Sequence, residues 1–539
     1  MESRFFDGLA VVVFAVLGAL IIFTFQDYGL SWDGRLQLEY GEMILRFFHS
    51  GFADTKAATY ENMPLYGGLF DAVVQSLTRI LPFSIVDTRH LFTALTGFLA
   101  CVGAWRFARY LGGSLAGFLT ILFLVALPSF YGHSFINPKD IPFAAGYIWT
   151  LYFIARAGET LPIIPFRRAF PVGLALGLTL GVRVGGALLI IYMGLLFLLH
   201  FVWTKGRVAL LEEDRQDAKT VIRSTIKTVF VVFVPAYFLM IVLWPMALLS
   251  PVLGPFQALM ETVRFKFNTT ILFKGDYVYS INLPSDYIPT YFGVKLPEYL
   301  LVVLAITLLM AAHSLWCAFR DGNRQQFFGY AAIGLGAFFP PIFSIVTKAV
   351  HYDAIRHFLF IIPPLVVLAG VEAKRASVWL HAWRPAALAA AGVLLSVGIA
   401  CTGWAMVRLH PYQYIYYNAM AGGLSGAAGR YELDYWATSY KEVAGKLIAY
   451  VIEDVKVNKI PAGKRSFWVF VCGPAFTALH FLPTDFKLTR EISQADFYIS
   501  FTRWSCDRDI EAPVVVEVKR QDTRIAVAKD LRRGYQTNK

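Results

Sequence analysis

Charge is scarce in this sequence. Asp, Glu, Lys and Arg make up 16% of its 539 residues, where a soluble globular domain carries about a quarter. Set beside a hydrophobic share of 57% and a mean hydropathy of +0.54, the shortage excludes an ordinary soluble enzyme, because so much apolar surface has to face lipid. Cysteine is scarce too. There are five, with no C-x-x-C pair and no His/Cys cluster, which removes structural-zinc and haem-attachment readings. Cys101, Cys317 and Cys401 fall in apolar runs and read as inert thiols. Cys472 and Cys506 fall in the polar C-terminal part and can pair if that part lies outside the cytoplasm. Internal repeats and low-complexity tracts are absent. The first apolar run, "LAVVVFAVLGALIIF", is longer than a signal-peptide core and no A-x-A site follows it, so it reads as a retained span.

The net charge of +12 does not argue for nucleic acid. Basic residues gather in short loops between apolar runs, as they do on the cytoplasmic side of membrane proteins, and no basic stripe lies elsewhere. A crossing helix needs about 20 apolar residues. The candidate segments are 8–26, 89–107, 114–131, 141–157, 169–182, 185–203, 227–249, 298–319, 327–347, 357–371 and 382–406, which makes about eleven transmembrane helices. The stretch 169–203 is too long for one crossing, and both its flanks are basic ("PFRRAF", "WTKGR"). It must therefore go out and return, with "GVRVGG" and Arg183 at the outer turn. "RFARY", "FRR", "KGR", "FRDGNR" and "EAKRAS" then share the cytoplasmic side. Residues 1–406 form the transmembrane domain, and 27–88 is its first external loop. In that loop "LEYGEMILRFFHS" and "GGLFDAVVQSLTRIL" have the spacing of amphipathic surface helices. Residues 407–539 read as a small extramembrane α/β domain, with a hairpin around "RQDT". The aromatics of "HPYQYIYYNAMAGG" read as lying at headgroup level and packing that domain onto the bundle.

On this topology ionisable residues gather at the outer face: Asp33, Arg35, Glu39 and Glu42 after the first span, Glu61 in "YENMPLYGG", Lys139 and Asp140 opening the fourth, Arg183 in its turn, and His351, Arg356 and His357 in "HYDAIRHF". Each has an ordinary explanation by itself. Lys139 and Arg183 can snorkel, Asp140 can cap a helix, and Glu39, Glu42 and Asp71 can ride the wet face of a surface helix. Together, carboxylates and cations from separate loops suit an assembled site, since charge at a membrane lip is costly. A mixture of signs fits a base that removes a proton while cations hold an anionic leaving group.

The ordered set "SWDGR", "YENMPLYGG", "NPKDIPFA" and "LTLGVRVGGAL" resembles the GT-C superfamily of membrane glycosyltransferases, and within it the protein O-mannosyltransferases (glycosyltransferase family 39) and the lipid A aminoarabinose transferase group. The resemblance covers residues 1–205, and more loosely to 406. It implies a polyprenyl-phosphate-linked sugar donor, a hydroxyl acceptor on a lipid, glycan or protein, inversion at the anomeric carbon, and residence in the bacterial inner membrane with the site and C-terminal domain in the periplasm. It implies Asp33 as general base. It gives Glu61 and Asp140 as positions that bind a divalent metal (Mg, Mn, Ca or Zn) in some relatives, and Arg183, with Lys139 and Arg356, as the phosphate site. Arg35, His133, His351 and His357 are candidate acceptor or donor contacts. No nucleotide cofactor is implied. The pattern departs from its relatives where Gly34 follows Asp33, where Asn62 follows Glu61, and in lacking a luminal trefoil domain. The competing readings are a transporter or flippase of lipid-linked sugars, which commonly shows repeats and mid-span charges, and a scaffold presenting the C-terminal domain.

Overall fold

The computed structural model describes residues 2–211, 218–458 and 466–537. Helix α1 (Glu2–Thr24) leads into a long loop carrying α2 (Gly34–His49) and α3 (Leu69–Leu77). The bundle continues through α4 (Ile85–Gly112), α5 (Ser114–Val125), α6 (Pro128–Ile136), α7 (Asp140–Gly158), α8 (Phe166–Leu180), α9 (Ala187–Leu211) and α10 (Ala218–Ile241). Short α11 (Pro245–Leu249), α12 (Leu253–Arg264), a hairpin of β1 (Thr270–Phe273) and β2 (Asp276–Tyr279), and α13 (Tyr287–Lys295) precede α14 (Glu298–Arg320), α15 (Arg324–Thr347), α16 (Ile362–Trp383) and α17 (Pro385–Leu409). The C-terminal part holds α18 (Gly423–Ala427), α19 (Tyr440–Asn458), β3 (Phe467–Val471), α20 (Ala475–Leu479), β4 (Phe486–Leu488), β5 (Phe497–Phe501), β6 (Ile510–Glu511), β7 (Val514–Arg520), β8 (Thr523–Asp530) and β9 (Gln536–Thr537).

Every segment expected to cross is helical. Among the described residues, eight helices are long and apolar enough to span a membrane, or nine if α5 and α6, bent by 67° at a short break, count as one. The expectation of eleven exceeds this because α8, at 15 residues, is too short, and α7, at 19, is long enough but not apolar enough. Helix α7 opens on Asp140 and carries Arg156, and α8 opens on Arg167 and Arg168. Local signals set several ends. Ser84 caps α4 by accepting from the Asp87 N–H at 3.0 Å, and Gly113, at φ +83°, stops it.

Contacts sort the bundle into two ends. At one, Arg109 pairs with Asp7 at 2.8 Å, Glu159 pairs with Arg168 at 2.6 Å and accepts from the Tyr110 hydroxyl at 2.8 Å, and Arg375 reaches Gln326 at 2.6 Å. These residues belong to segments expected on one side. The opposite end gathers the 27–84 loop and the turns at 137–139, 181–186 and 348–355. The awkward 169–203 stretch is indeed two helices. Arg183, past the end of α8, pairs with Asp140 at the start of α7. Far down α9, His200 Nδ1 lies 3.2 Å from Arg324, which also bonds the Leu161 carbonyl in the α7–α8 turn. The chain therefore climbs in α8 and returns in α9. Helix α8 packs closely on α10 through Gly173 and Gly177, where an added Cβ would meet the carbonyls of Val232 at 2.5 Å and Ala236 at 2.7 Å. This is small-residue packing of the kind membrane helices use.

The C-terminal sheet has strand order β4-β3-β5-β8-β7, with β3 parallel to β4 and β5, and β8 antiparallel to β5 and β7. The β7–β8 hairpin turns at Gln521 and Asp522, both at positive φ, as a tight two-residue hairpin requires. The 410–440 segment packs the C-terminal part onto the bundle. Tyr412, Tyr414, Tyr417, Tyr431, Tyr435 and Trp436 are buried inside the protein. Buried phenols need partners, and they have them: Tyr414 bonds Asp434, Tyr412 bonds Glu442 at 2.9 Å, and Tyr435 bonds His133 at 2.8 Å.

Candidate active site

Asp33 occupies the N-cap position of α2, yet its side chain makes no capping hydrogen bond, although aspartate is among the best caps. Its carboxylate turns into the protein instead. Oδ2 accepts from Arg356 at 3.0 Å and lies 3.7 Å from Lys139 Nζ. The loop bearing it is pinned from behind: Ser31 Oγ donates to the Ile136 carbonyl at 2.9 Å, and the Trp32 N–H donates to the Trp436 carbonyl at 3.1 Å. Burial would raise the Asp33 carboxyl, but Lys139, Arg356 and Arg183 outweigh it and hold the group below the usual carboxylate range. It is ionised at neutral pH.

Asp140 opens α7. Asn137 shapes its turn, accepting from the Lys139 N–H at 3.3 Å and the Asp140 N–H at 2.9 Å through Oδ1, and donating to Asp140 Oδ2 at 2.9 Å through Nδ2. Asp140 Oδ1 takes Arg183, and Arg356 Nε stands 4.0 Å from Oδ2. Lys139 lies over the Tyr66 ring at 4.1 Å, and Arg183 over the same ring at 5.7 Å. Burial would lower the Lys139 ammonium, but Tyr66 and Asp33 prevail and raise it, so it stays charged. Tyr66 reaches this place because the first loop presses directly on the α8–α9 turn. A Cβ on Gly67 would fall 1.9 Å from the Gly181 carbonyl, and the Leu69 N–H bonds that same carbonyl at 3.1 Å. Only glycine admits that approach.

Two imidazoles stand behind Arg356. The guanidinium donates to His357 Nε2 at 3.2 Å, so His357 Nδ1–H faces His351 Nδ1 at 3.4 Å, and His351 Nε2–H meets Ser344 Oγ. The chain works only with both rings neutral. Burial, aided by Arg183, accordingly pushes His351 down to about 4. His133 supports Asn137 with Nδ1 at 3.4 Å while Nε2 bonds the Tyr435 hydroxyl.

Five of the residues singled out in the sequence thus come together: Asp33, Lys139, Asp140, Arg183 and Arg356. His357 stands directly behind Arg356, His351 behind His357, and His133 behind Asn137. Others lie outside. Arg35 is half exposed and pairs with Glu39 at 2.6 Å on the outer face of α2. Glu61 is exposed at positive φ and makes no hydrogen bond or ion pair among the described residues. Glu42 joins Arg46, Arg79 and Gln75 at the surface. Asp71 corrects the expectation of a wet face. It is buried against Arg89, because α3 packs on both α2 and α4.

Sequence reasoning did not single out Asp353, Arg503, Glu432, Trp436, Tyr66 or Asn137. Asp353 and Asn137 sit inside motifs quoted for their neighbours. Nothing local to Arg503 links it to Asp353, 150 positions away, or to Glu432, 71 positions away.

A divalent metal does not fit here. Both Asp140 oxygens are engaged, by Arg183 and by Asn137, and three cationic side chains face the space a second cation would enter. Among the described residues, the one group of three potential ligands is Cys472, Cys506 and Asp509, and its two sulfurs are bonded to each other.

No family model matches the sequence, and no curated relative does. The structure is similar to two solved structures. The chain is similar over 96% of its length to ArnT from Cupriavidus metallidurans bound to undecaprenyl phosphate, covering 97% of that chain at 17% identity with a TM-score of 0.49. It is similar over 93% of its length to the oligosaccharyltransferase AglB from Archaeoglobus fulgidus in complex with an inhibitory peptide and a dolichol-phosphate, covering 70% of that chain at 12% identity with a TM-score of 0.49.

Proposed function

We propose that this protein is an integral membrane glycosyltransferase that moves a sugar from a polyprenyl-phosphate donor to a hydroxyl on a lipid, glycan or protein acceptor, with Asp33 as general base. The observation that carries the reading is the convergence of Asp33 and Asp140 with Lys139, Arg183 and Arg356 at one end of an apolar bundle. A soluble enzyme would have no reason to put this site there. A donor whose lipid tail stays in the bilayer needs it at the interface.

The step follows from charge. The acceptor oxygen attacks the anomeric carbon as the bond from that carbon to the phosphate oxygen breaks. The electron pair leaves with the polyprenyl phosphate, which gains one negative charge. The acceptor's proton passes to Asp33. An ionised carboxylate of low basicity serves because the hydroxyl becomes acidic only as its oxygen bonds to carbon. Arg356, Lys139 and Arg183 face the growing phosphate charge, and guanidinium forks suit phosphate oxygens. Asp33 keeps 27% of its side chain exposed and Asp140 only 7%, so one carboxylate is open to an acceptor. That favours a single inverting displacement over a two-carboxylate retaining route. No step uses a metal. The site faces the periplasm of a bacterial inner membrane, and residues 407–539 form the domain on that side.

The test is transfer in proteoliposomes, read by mass spectrometry of envelope glycoconjugates with and without the protein. A sugar modification that disappears with the protein and with Asp33→Asn supports the reading. Movement of lipid-linked sugar between leaflets that persists in Asp33→Asn would establish the flippase instead.

A further inference from the structure

Arg356 touches more than the reacting groups. Its Nη1 lies 3.0 Å from Asp33 and 3.4 Å from Asp353. Asp353 is almost fully buried, and its other contacts lead away from the site. Its Oδ1 lies 3.1 Å from Arg503 Nη1, and its Oδ2 accepts from Trp436 Nε1 at 3.1 Å. Arg503 in turn sits 3.1 Å from Glu432 and donates to the Tyr435 carbonyl at 2.8 Å. Acidic and basic side chains therefore alternate along one line: Glu432, Arg503, Asp353, Arg356, Asp33. The line starts in the C-terminal part of the chain and ends at the base. The backbone marks the same place. Asp353 and Ala354 are consecutive non-glycine residues at φ +60° and +58°, a left-handed conformation that side chains disfavour and that persists where surroundings enforce it.

We propose that Asp353 is the positioning residue for Arg356, and that Arg503 holds Asp353 to that task, making the 503–508 turn part of the active apparatus. The proposal rests on the glycosyltransferase reading and deepens it. When Asp33 accepts the acceptor's proton it loses its charge and releases Arg356. At that moment the leaving phosphate gains charge. A guanidinium tied only to Asp33 would be free to leave the site. Asp353 is shielded from the acceptor and takes no part in the proton transfer, so Arg356 stays tethered while its face turns to the phosphate.

The experiment is a double-mutant cycle read as binding of undecaprenyl phosphate to the purified full chain in detergent, with thermal unfolding in parallel. Asp353→Asn should weaken binding about tenfold in the parent and leave it nearly unchanged in an Arg356→Lys background, as expected of residues acting through one another. Arg503→Gln should act in the same direction, and Arg503→Lys should restore part of the loss. Equal weakening in both backgrounds, or no weakening, would overturn the inference. So would loss of binding in Asp353→Asn and Arg503→Gln that merely tracks a lowered melting temperature. If the unmodified protein fails to bind undecaprenyl phosphate, the donor assignment falls and this inference falls with it.

Discussion

Replacing Asp33 with Asn should move two measurements in opposite directions. Asparagine keeps the shape of the side chain and removes its charge. The carboxylate lies 3.0 Å from Arg356 and 3.7 Å from Lys139. At an effective dielectric near 20, unit charges at such separations attract by about 4 to 6 kcal/mol before desolvation is counted. Asp33 thus cancels much of the field those cations would offer a phosphate. Only part of that gross attraction becomes available once it is gone, because water and Asp353 compensate. Undecaprenyl phosphate should bind about tenfold tighter, equivalent to about 1.4 kcal/mol. Transfer should fall by about 10² to 10⁴ in kcat, the range a positioned base supplies. The assay pairs equilibrium binding of undecaprenyl phosphate with single-turnover transfer, with the melting temperature as a control for folding. Undiminished transfer would refute Asp33 as the base. Parallel loss of binding and transfer would show that the carboxylate supports the cations instead of competing with the phosphate.

Other outcomes follow from the same geometry. Burial pushes Glu432 up from 4.5 to about 7, against the pull of Arg503. The folded state therefore holds that proton more tightly than the unfolded chain. Its contribution to stability is complete below 4.5 and is lost as pH rises through about 7, so the melting temperature should decline between pH 5 and 8, and Glu432→Gln should flatten that decline. Asp140 is already committed to Arg183 and Asn137, so transfer should continue in excess chelator; inhibition reversed by added Mn²⁺ or Mg²⁺ would show that the ion pair opens to a metal. The Cys472–Cys506 bond closes a loop of 34 residues. Its loss through Cys→Ser should cost about 3 to 4 kcal/mol, seen as a lower unfolding temperature, and non-reducing peptide mapping of protein from cells should find it intact if this region faces an oxidising compartment.

Much of the membrane architecture was written in local pattern. Apolar run length gave every bundle helix, because crossing is a matter of consecutive residues. The basic flanks of 169–203 gave its reversal and put Arg183 at the far end, where it pairs with Asp140. The "RQDT" turn was equally local. The count of spans was less legible, since α7 and α8 are helices whose polar ends and lengths do not settle what lipid they meet.

The sequence by itself determined a many-helix membrane protein whose separate loops carry acids and bases toward one end, because each of those facts needs only neighbours along the chain. The tertiary structure alone decided which charges meet. It brought Asp33, Lys139, Asp140, Arg183 and Arg356 into contact, left Glu61 and Arg35 at the surface, buried the 410–440 aromatics, and ran a line of alternating acids and bases from Glu432 through Arg503 and Asp353 to Arg356. Ion pairs form by distance in space, and no spacing along the chain encodes a contact between residues 353 and 503.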